Sequence, residues 1–402
     1  MDESLGHIHD FLYLLLATCL VSLSLRSLSG GFSYLEHFRR ELSADDSSYT
    51  SPHVSVLIPV RGVDEGLLEN IEAVLAQDYS SFDVTVITDD VSDPALAELA
   101  GLIASGMLRV HISEKIQGQS GKISKLISAV ESLPAATEVI LFADSDARPS
   151  RRWMSALVSA LDEEGIGAST GYRWFFSAKP SVATELRSSW NASVASVLGH
   201  DVRNNFCWGG STAIKRSVFE ALGIAKSWRG ALSDDYVVMR KMHEAGFGIA
   251  FVPAAMTASI ENCDFRGLIE FTTRQMKITR VYASKFWVLS LVSSFIHCVV
   301  VSWSIFLLAV SPEHFLRSAA ILTLALVWGL GLGKVRLRIS AMRLAMPEYQ
   351  DRLTSQMRWQ SILWTITPYV FLYNCLVALV SREVVWRGIR YRMVSPNETE
   401  VL

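Results

Sequence analysis

Apolar segments of membrane-spanning length lie at both ends of the chain and enclose a long, more polar stretch. A helix that crosses a bilayer needs about 20 consecutive, mostly apolar residues. Half of the 402 residues are hydrophobic and 19% are charged, which is too apolar for an ordinary soluble enzyme and too charged for membrane helices alone. The sequence therefore predicts one soluble domain combined with membrane segments. The apolar stretches are 11–28, 286–310, 316–332 and 360–380.

The first apolar stretch has the character of a retained N-terminal anchor, which we place at residues 1–30. The segment before it is acidic, with Asp2 and Glu3, whereas a signal peptide begins with basic residues. Basic residues follow it at Arg26, Arg39 and Arg40. Since basic residues favour the cytoplasmic side, the next domain is expected in the cytoplasm.

The C-terminal segments, 286–380, permit two topologies. Three full crossings would place the strongly basic tail, 381–402, outside, whereas its charge favours the inside. Pro368 lies near the middle of the last apolar stretch, which could enter the bilayer and return as a re-entrant hairpin. Such backbone is tolerated where protein buries it. Both topologies stay open at this point.

Residues 50–285 alternate short apolar runs with amphipathic repeats. A β-α-β-α-β-α-β order predicts an α/β fold with a doubly wound, mainly parallel sheet and right-handed crossovers. Beyond residue 161 the pattern becomes mixed, with strands expected over 166–174 and 248–252 and a glycine-rich extended piece over 207–214. The predicted strands of the regular part are 54–59, 82–88, 108–112 and 139–143.

Two carboxylates, Asp144 and Asp146, follow the apolar run 139–143. Open α/β sheets bind ligands at the carboxyl ends of their strands, and side chains at i and i+2 of extended backbone point the same way. Paired carboxylates suit Mg²⁺ or Mn²⁺ together with a phosphate. The alternative is an acidic turn in which Asp146 is a solvated or capping residue.

Other polar residues are expected near the same sheet edge. Asp90 follows the second strand, and Lys122 stands at the start of a helix after a glycine, where a phosphate can bind. Asp235 precedes another apolar helical repeat. Each has a plain structural alternative: Asp90 as a turn residue, Lys122 as a solvated lysine and Asp235 as a helix N-cap.

The polar motifs follow one another in a specific order: Pro59 to Asp64, Asp90 before Pro94, Gly121-Lys122, Asp144 with Asp146, Asp234-Asp235-Tyr236, and a tail with Trp386-Arg387 and Arg390-Tyr391-Arg392. This order resembles the ceramide glucosyltransferase family over nearly the whole chain. The resemblance implies a membrane-bound, GT-A-type glycosyltransferase. It also implies a UDP-sugar donor, a membrane lipid acceptor and a divalent metal, Mg²⁺ or Mn²⁺.

The resemblance implies a role for individual positions as well. Asp235 would be the general base, and Asp146 with Asp144 would hold the metal and the sugar diphosphate. Asp90 would contact the uracil and ribose, and Lys122 the nucleotide or its phosphates. Further donor contacts are expected from Arg61, Gly210, Arg274, Gln275 and Arg280.

One motif departs from the family pattern. The family carries (Gln/Arg)-x-x-Arg-Trp, whereas this chain has Lys277 and Ile278 after Arg274-Gln275-Met276. The positive charge is kept and the aromatic ring is lost, which bears on the acceptor geometry. Trp208, beside two glycines, either forms the floor of a sugar site or simply packs.

These observations favour an integral membrane glycosyltransferase with a cytoplasmic catalytic domain, in the plasma membrane of a bacterium or the endoplasmic reticulum or Golgi of a eukaryote. It would transfer a hexose, glucose favoured, to a lipid hydroxyl, ceramide favoured, by an inverting single displacement. Rival acceptors are diacylglycerol, a hopanoid or a polysaccharide chain. Rival functions are a catalytically degenerate membrane scaffold and a nucleotide hydrolase. The net charge of −3 gives no indication of nucleic-acid binding.

Overall fold

The computed structural model describes residues 2–43, 51–114, 116 and 119–402. The predicted domain boundary at residue 50 and Gly118, predicted to open a flexible loop, lie outside these residues. The strands of the described part are β1 (Val54–Pro59), β2 (Phe82–Thr88), β3 (Arg109–Ile112), β4 (Val139–Ala143), β5 (Ile166–Thr170), β6 (Arg173–Phe176), β7 (Ser211–Lys215), β8 (Gly248–Phe251), β9 (Thr257–Ile260), β10 (Glu383–Trp386), β11 (Ile389–Ser395) and β12 (Glu398–Val401).

The helices alternate with these strands in the first half of the domain and dominate the C-terminal part. The α-helices of the described part are α1 (Asp2–Ser43), α2 (Leu67–Leu75), α3 (Pro94–Glu98), α4 (Ala100–Ala104), α5 (Gly121–Glu131), α6 (Trp153–Ala160), α7 (Val182–Ala195), α8 (Arg216–Ala221), α9 (Ile224–Trp228), α10 (Asp234–Glu244), α11 (Phe265–Tyr282), α12 (Ser284–Val310), α13 (His314–Ala345), α14 (Gln350–Leu363) and α15 (Thr367–Val380).

A seven-stranded sheet in the order β3-β2-β1-β4-β7-β5-β8 forms the centre of the domain. The strands β1 to β4 pair in parallel, and only β7 runs antiparallel to its neighbours β4 and β5 within this sheet. The predicted α/β fold with a mainly parallel, mixed sheet is confirmed. It places the carboxyl ends of β1 and β4 side by side.

The strand β4 shows why this sheet is stable. All five of its residues are buried, with Val139, Leu141 and Ala143 in the cluster beneath α2 and α6. Ile140 and Phe142 face the opposite cluster, beneath α5 and α10. Burying one large aliphatic or aromatic side chain stabilises a fold by about 1.5–3 kcal/mol. Helices on both faces therefore hold this strand, and with it the acidic residues that follow.

The strand predicted over 166–174 is two strands. β5 ends at Thr170 and stays in the main sheet, whereas β6 begins at Arg173 and pairs with β9 in a separate two-stranded sheet. The break occurs at Gly171, where an added Cβ would overlap the carbonyl oxygen of Ala255. The chain turns there because only glycine permits this close backbone approach, which the apolar pattern does not reveal.

Within the described residues, three helices are long and apolar enough to cross a membrane: Ile8–Ser43, Ser284–Val310 and His314–Ala345. The first continues well beyond the predicted anchor. Tyr34 and Phe38, near its C-terminal end, are buried with Phe251 of the α/β domain. The helix α1 therefore joins a candidate membrane span to the core of the domain.

The last apolar stretch is broken. Residues Pro347–Leu363 and Thr367–Val380 form two helical segments bent by 70°, which is the geometry of a broken span or a re-entrant loop. Pro368 stands in the first turn of α15, where its missing N–H is tolerated. Both topologies predicted for this region remain compatible with the bend.

The residues after the last helix, predicted only as a basic tail, form an antiparallel three-stranded sheet, β10-β11-β12. Arg387 and Gly388 make the turn between β10 and β11, both with positive φ. Such turns suit the twist of a hairpin. The turn projects Arg387 toward the carboxyl ends of the main sheet, where its guanidinium pairs with Asp64 at 2.6 Å.

Candidate active site

A cleft of about 420 Å³ opens at the carboxyl ends of β1 and β4. Its walls come from the loops after these two strands, the first turns of α5 and α10, one face of α11 and the β10–β11 hairpin. The main sheet thus presents its strand ends to a single cavity, as open α/β folds do. Membrane-candidate helix α12 begins two residues after α11 ends.

The residues after β4 carry two carboxylates into this cleft, and Arg173 bridges them. Its Nη1 donates to Asp146 Oδ2 at 3.0 Å and its Nη2 to Asp144 Oδ2 at 3.1 Å. The guanidinium also stacks over the ring of Trp208, 4.7 Å from its centroid. With one charge-assisted hydrogen bond to each carboxylate, the guanidinium holds Asp144 and Asp146 in place relative to each other.

Lys122 links this pair to the first turn of α10. Its Nζ lies 3.0 Å from Asp144 Oδ1 and 3.2 Å from Asp234 Oδ1. Gly209 makes the approach possible, because an added Cβ would overlap Asp234 Oδ2 and lie 3.0 Å from Lys122 Nζ. Lys122 is therefore part of an ion-pair network and not a solvated lysine at a helix start.

Burial and ion pairing shift the pKa values of the cleft carboxylates in different directions. Burial alone would raise the pKa of Asp144, but Lys122 and Arg173 outweigh it and hold that pKa below its usual value. Burial raises the pKa of Asp146 to about 6 against the pull of Arg173, and that of Asp234 to about 6 against the pull of Lys122. Asp144 is thus the fixed anion, and Asp146 carries an anionic charge that a bound cation would stabilise.

Asp235 lies across the cleft, near the start of α10. Its Oδ1 accepts hydrogen bonds from the Ser233 hydroxyl and, at 2.8 Å, from the Tyr236 backbone N–H. Among the described residues, its Oδ2 accepts one long hydrogen bond, 3.4 Å, from the N–H of Gly209. Ser233, not either aspartate, is the residue that precedes the helix. Asp235 therefore has one firmly held oxygen, Oδ1, and one weakly bonded oxygen, Oδ2, and its side chain lines the cleft.

The structure brings together most of the predicted site residues. Gly210 stands directly behind them, because a Cβ there would lie 2.8 Å from Asp144 Oδ2. The predicted residues that line the cleft are Arg61, Lys122, Asp144, Asp146, Asp235, Arg274 and Gln275.

Two predicted residues lie elsewhere. Asp90 is exposed at the end of β2, where its Oδ1 accepts from the Ser92 N–H and hydroxyl at 2.9 and 2.7 Å. Arg280 points away from the cleft, donates to the carbonyl oxygen of Ala378 and stacks over Trp287. Neither is among the described residues that line the cleft. Arg280 holds α11 against α15 because helical spacing turns it to the face opposite Ile278.

The carboxylates of the cleft can be compared with the ligands that a divalent metal ion requires. No group of three or more His, Cys, Asp or Glu side chains in the described part of the chain is arranged to hold one. Asp146 Oδ1, however, is buried without a hydrogen-bond partner among the described residues. Magnesium commonly takes one or two carboxylates and completes its shell with substrate phosphates and water. The residues fit a metal held in that way.

The sequence matches a known protein family over almost its whole length. The model of glycosyl transferase family 21 matches residues 15–399. The chain belongs to glycosyl transferase family 21. This family includes the ceramide glucosyltransferases, so the prediction of a glycosyltransferase family from the order of motifs is confirmed. The GT-A-type fold predicted with it agrees with the mixed, mainly parallel sheet.

Individual relatives are more distant. A probable glycosyltransferase of Bacillus subtilis (strain 168) is 25% identical over 251 residues, which are 57% of this chain and 56% of the relative. This chain therefore matches little more than half of the length of that curated relative. A mannosyltransferase from Pyrobaculum calidifontis, solved with GDP-Man and Mn²⁺, is 16% identical with a TM-score of 0.47, covering 92% of this chain and 98% of its own. Glucosyl-3-phosphoglycerate synthase from Mycobacterium tuberculosis, solved with Mn²⁺ and UDP-glucose, is 17% identical with a TM-score of 0.36, covering 57% and 78%.

Sequence reasoning missed several residues in the cleft of this family 21 chain. Arg173 carries no local signal, because its pairing with Asp144 and Asp146 depends on the turn at Gly171. Trp386 and Tyr391, which the sequence indicated only as part of the tail motif, line the cleft beside Arg387. The Arg-Gly pair at 387–388 between two short β-type runs could have indicated the hairpin.

Proposed function

We propose that this family 21 protein transfers a hexose from a UDP-sugar to the hydroxyl of a membrane lipid. One observation carries the proposal: Asp235 and the Asp144–Asp146 pair lie in one cleft, together with cations that can neutralise a diphosphate. A carboxylate with an accessible oxygen, facing a site for a charged leaving group, is the arrangement that glycosyl transfer to a hydroxyl requires.

Asp235 is proposed as the general base. An alcohol is a poor nucleophile, and a carboxylate within hydrogen-bond reach removes its proton as the new bond forms. The hydroxyl of Ser233 and the N–H of Tyr236 hold Asp235 Oδ1 in place, so Oδ2 is the oxygen available for the acceptor. With a single base and no covalent partner, the expected outcome is one displacement with inversion at the anomeric carbon.

The departing diphosphate is proposed to lie between Asp146 and the cations of the cleft. Lys122 and Arg173 already face this space, and Arg387 enters it from the hairpin. A bound metal, held by Asp146 and the phosphates, would neutralise the charge that builds on the leaving group. Gln275 and Arg274, on α11, are placed to contact the sugar or the phosphate. Arg61, after β1, is placed beside the nucleotide.

The acceptor is proposed to be a lipid because the wall formed by α11 leads directly into the membrane-candidate helix α12. Ile278 lies in the cleft where the family pattern has tryptophan, and Trp386 from the hairpin brings an aromatic ring to the same cavity. Glucose and ceramide are the favoured substrates because the family includes ceramide glucosyltransferases. Diacylglycerol, a hopanoid and a polysaccharide chain are the alternatives. The cleft is proposed to face the cytoplasm.

The proposal is tested with membranes that contain the full-length protein. They are incubated with labelled UDP-glucose, UDP-galactose or GDP-mannose and with ceramide, diacylglycerol or a hopanoid polyol, and the product lipid is identified. The expected product is glucosylceramide with β-linkage from an α-linked donor. Absence of any labelled lipid across the panel would refute transfer to a lipid.

The role of Asp235 is tested in the same assay. We expect Asp235→Asn to reduce turnover by about 10²–10⁴-fold, the usual contribution of a general base, with little change in UDP binding. Asp78→Asn, which alters an exposed carboxylate outside the cleft, is the matched control. Turnover of Asp235→Asn equal to that of the control would exclude the base.

A further inference from the structure

A second cavity, of about 310 Å³, lies between the membrane-candidate helices. It is an open recess lined by α1, α12 and α13, by Ser193 of α7 and by the bend between α14 and α15, and it shares no lining residue with the cleft among the residues described. Its lining combines basic and hydroxyl side chains with an apolar wall that includes Leu20, Leu23, Val327 and Leu330. A polar recess with apolar walls is unusual between membrane helices, where neighbours normally pack through small or apolar side chains.

Two cations of α13 line this cavity one helical turn apart, Lys334 and Arg338. Neither forms an ion pair with a carboxylate in the described part of the chain. Lys334 Nζ donates to the hydroxyl of Ser27 at 2.6 Å. Arg338 is only 5% exposed, and its Nε is buried without a hydrogen-bond partner among the described residues. Burying a charged group without a counter-charge is costly.

A further unpaired donor belongs to the same cavity. The indole N–H of Trp364 is buried and without an acceptor in the described structure. Its ring is fixed against α13, because a Cβ at Gly331 would overlap it. The hydroxyl of Ser290 on α12 adds a further donor, whereas the hydroxyl of Ser24 on α1 donates to the Leu20 carbonyl oxygen and can act as an acceptor. The cavity therefore offers several hydrogen-bond donors, and its described lining includes no acidic side chain.

The position of the cations along α13 indicates what anion they would meet. Lys334 and Arg338 follow the apolar part of a candidate span and lie within the basic segment that favours the cytoplasmic surface. At that depth the abundant anions are the phosphates of lipid headgroups, and basic pockets between membrane helices on the cytoplasmic side are known to bind them.

We propose that this cavity binds the headgroup of an anionic phospholipid. Its phosphate would accept hydrogen bonds from Lys334 and Arg338, the serines would contact the polar part of the headgroup, and the acyl chains would lie along the apolar wall. Occupancy would hold α1, α13 and the α14–α15 bend together. The site is separate from the cleft and does not depend on the proposed transfer.

The test measures lipid retention without any sugar donor. The purified full-length protein is mixed with equal amounts of phosphatidylglycerol, phosphatidylcholine and diacylglycerol of the same acyl chains, and retained lipid is counted by native mass spectrometry. We expect phosphatidylglycerol to be retained in preference to both others. In K334Q/R338Q the preference should fall about tenfold or more, since each cation near a membrane surface contributes about 1 kcal/mol.

The matched control is R317Q/R336Q, which removes the same charge from exposed positions of the same helix and should keep the preference. Equal retention of phosphatidylglycerol and phosphatidylcholine by the unmodified protein would overturn the proposal. So would an unchanged preference in K334Q/R338Q, or an equal loss in the control. If K334Q/R338Q does not fold, the comparison of lipids in the unmodified protein still decides.

Discussion

The cleft and the cavity between the membrane-candidate helices both contain largely buried cations, but these cations differ in whether the described residues supply a counter-charge. In the cleft, Lys122 and Arg173 each contact two carboxylates, so their charges are compensated before any ligand arrives. In the cavity, Lys334 and Arg338 face no carboxylate among the described residues. The cleft is thus a prearranged network into which a ligand must insert, whereas the cavity depends on an external anion to compensate its charge.

The largest loss of stability is expected when Arg173 is removed from the ion-pair network of the cleft. Arg173→Met would leave Asp144 and Asp146 close together without their bridge. Breaking a buried ion pair on one side costs about 3–5 kcal/mol of stability, because the remaining charge is uncompensated. Thermal unfolding of the purified protein would show this as a lowered midpoint. Arg151→Met, which removes an exposed arginine, is the control, and an equal midpoint for both variants would contradict the network.

A methyl group placed inside the network should have a smaller effect. Gly209→Ala would push Asp234 away from Lys122, since the added Cβ overlaps Asp234 Oδ2. Overpacking of this kind typically costs about 1–3 kcal/mol. We expect a lowered unfolding midpoint and weaker UDP binding by calorimetry. Gly199→Ala, where the methyl meets no atom within 4 Å, should change neither.

Removing a cation from the cavity should change stability in the opposite direction. Arg338→Met removes a buried charge that has no partner, so in neutral lipid the variant should be as stable as the unmodified protein or more stable by about 1 kcal/mol. In phosphatidylglycerol the order should reverse, because the unmodified protein gains a ligand that the variant cannot hold. Unfolding midpoints in the two lipids measure this. A variant that is less stable than the unmodified protein in neutral lipid would show that Arg338 has a partner within the protein.

The smallest effect is expected at the edge of the cleft. Arg387 is 42% exposed and pairs with Asp64, and such pairs contribute about 0.2–1 kcal/mol to stability. Arg387→Ala should therefore leave the unfolding midpoint nearly unchanged and raise the KM for the donor severalfold through loss of a phosphate contact. Arg390→Ala, in the same hairpin, should leave the KM unchanged. Equal KM values in both variants would remove Arg387 from the donor site.

Local sequence rules predicted the part of the cleft that depends on strand ends. The apolar run of β4 fixed where Asp144 and Asp146 stand, and a glycine before a helix start marked Lys122. The positions of Arg173 and Arg387 in the cleft could not be predicted in this way. Both residues reach the cleft through turns, one at Gly171 and one at Gly388, whose direction depends on tertiary contacts. Asp90 shows that a position after a strand of this sheet is not sufficient to place a residue in the cleft. It is exposed to solvent, and β2 lies one strand further from the cleft than β1.

The continuity of α1 has a consequence for which acceptors can be used. One unbroken helix runs from a candidate span into the aromatic core that holds Phe251, so the catalytic domain is not suspended on a flexible tether. If this helix crosses the bilayer, the height of Asp235 above the lipid surface is set by helix geometry, at 1.5 Å per residue. The enzyme would then select acceptors by how far their hydroxyl projects from the membrane, independently of the chemistry of the chains below it.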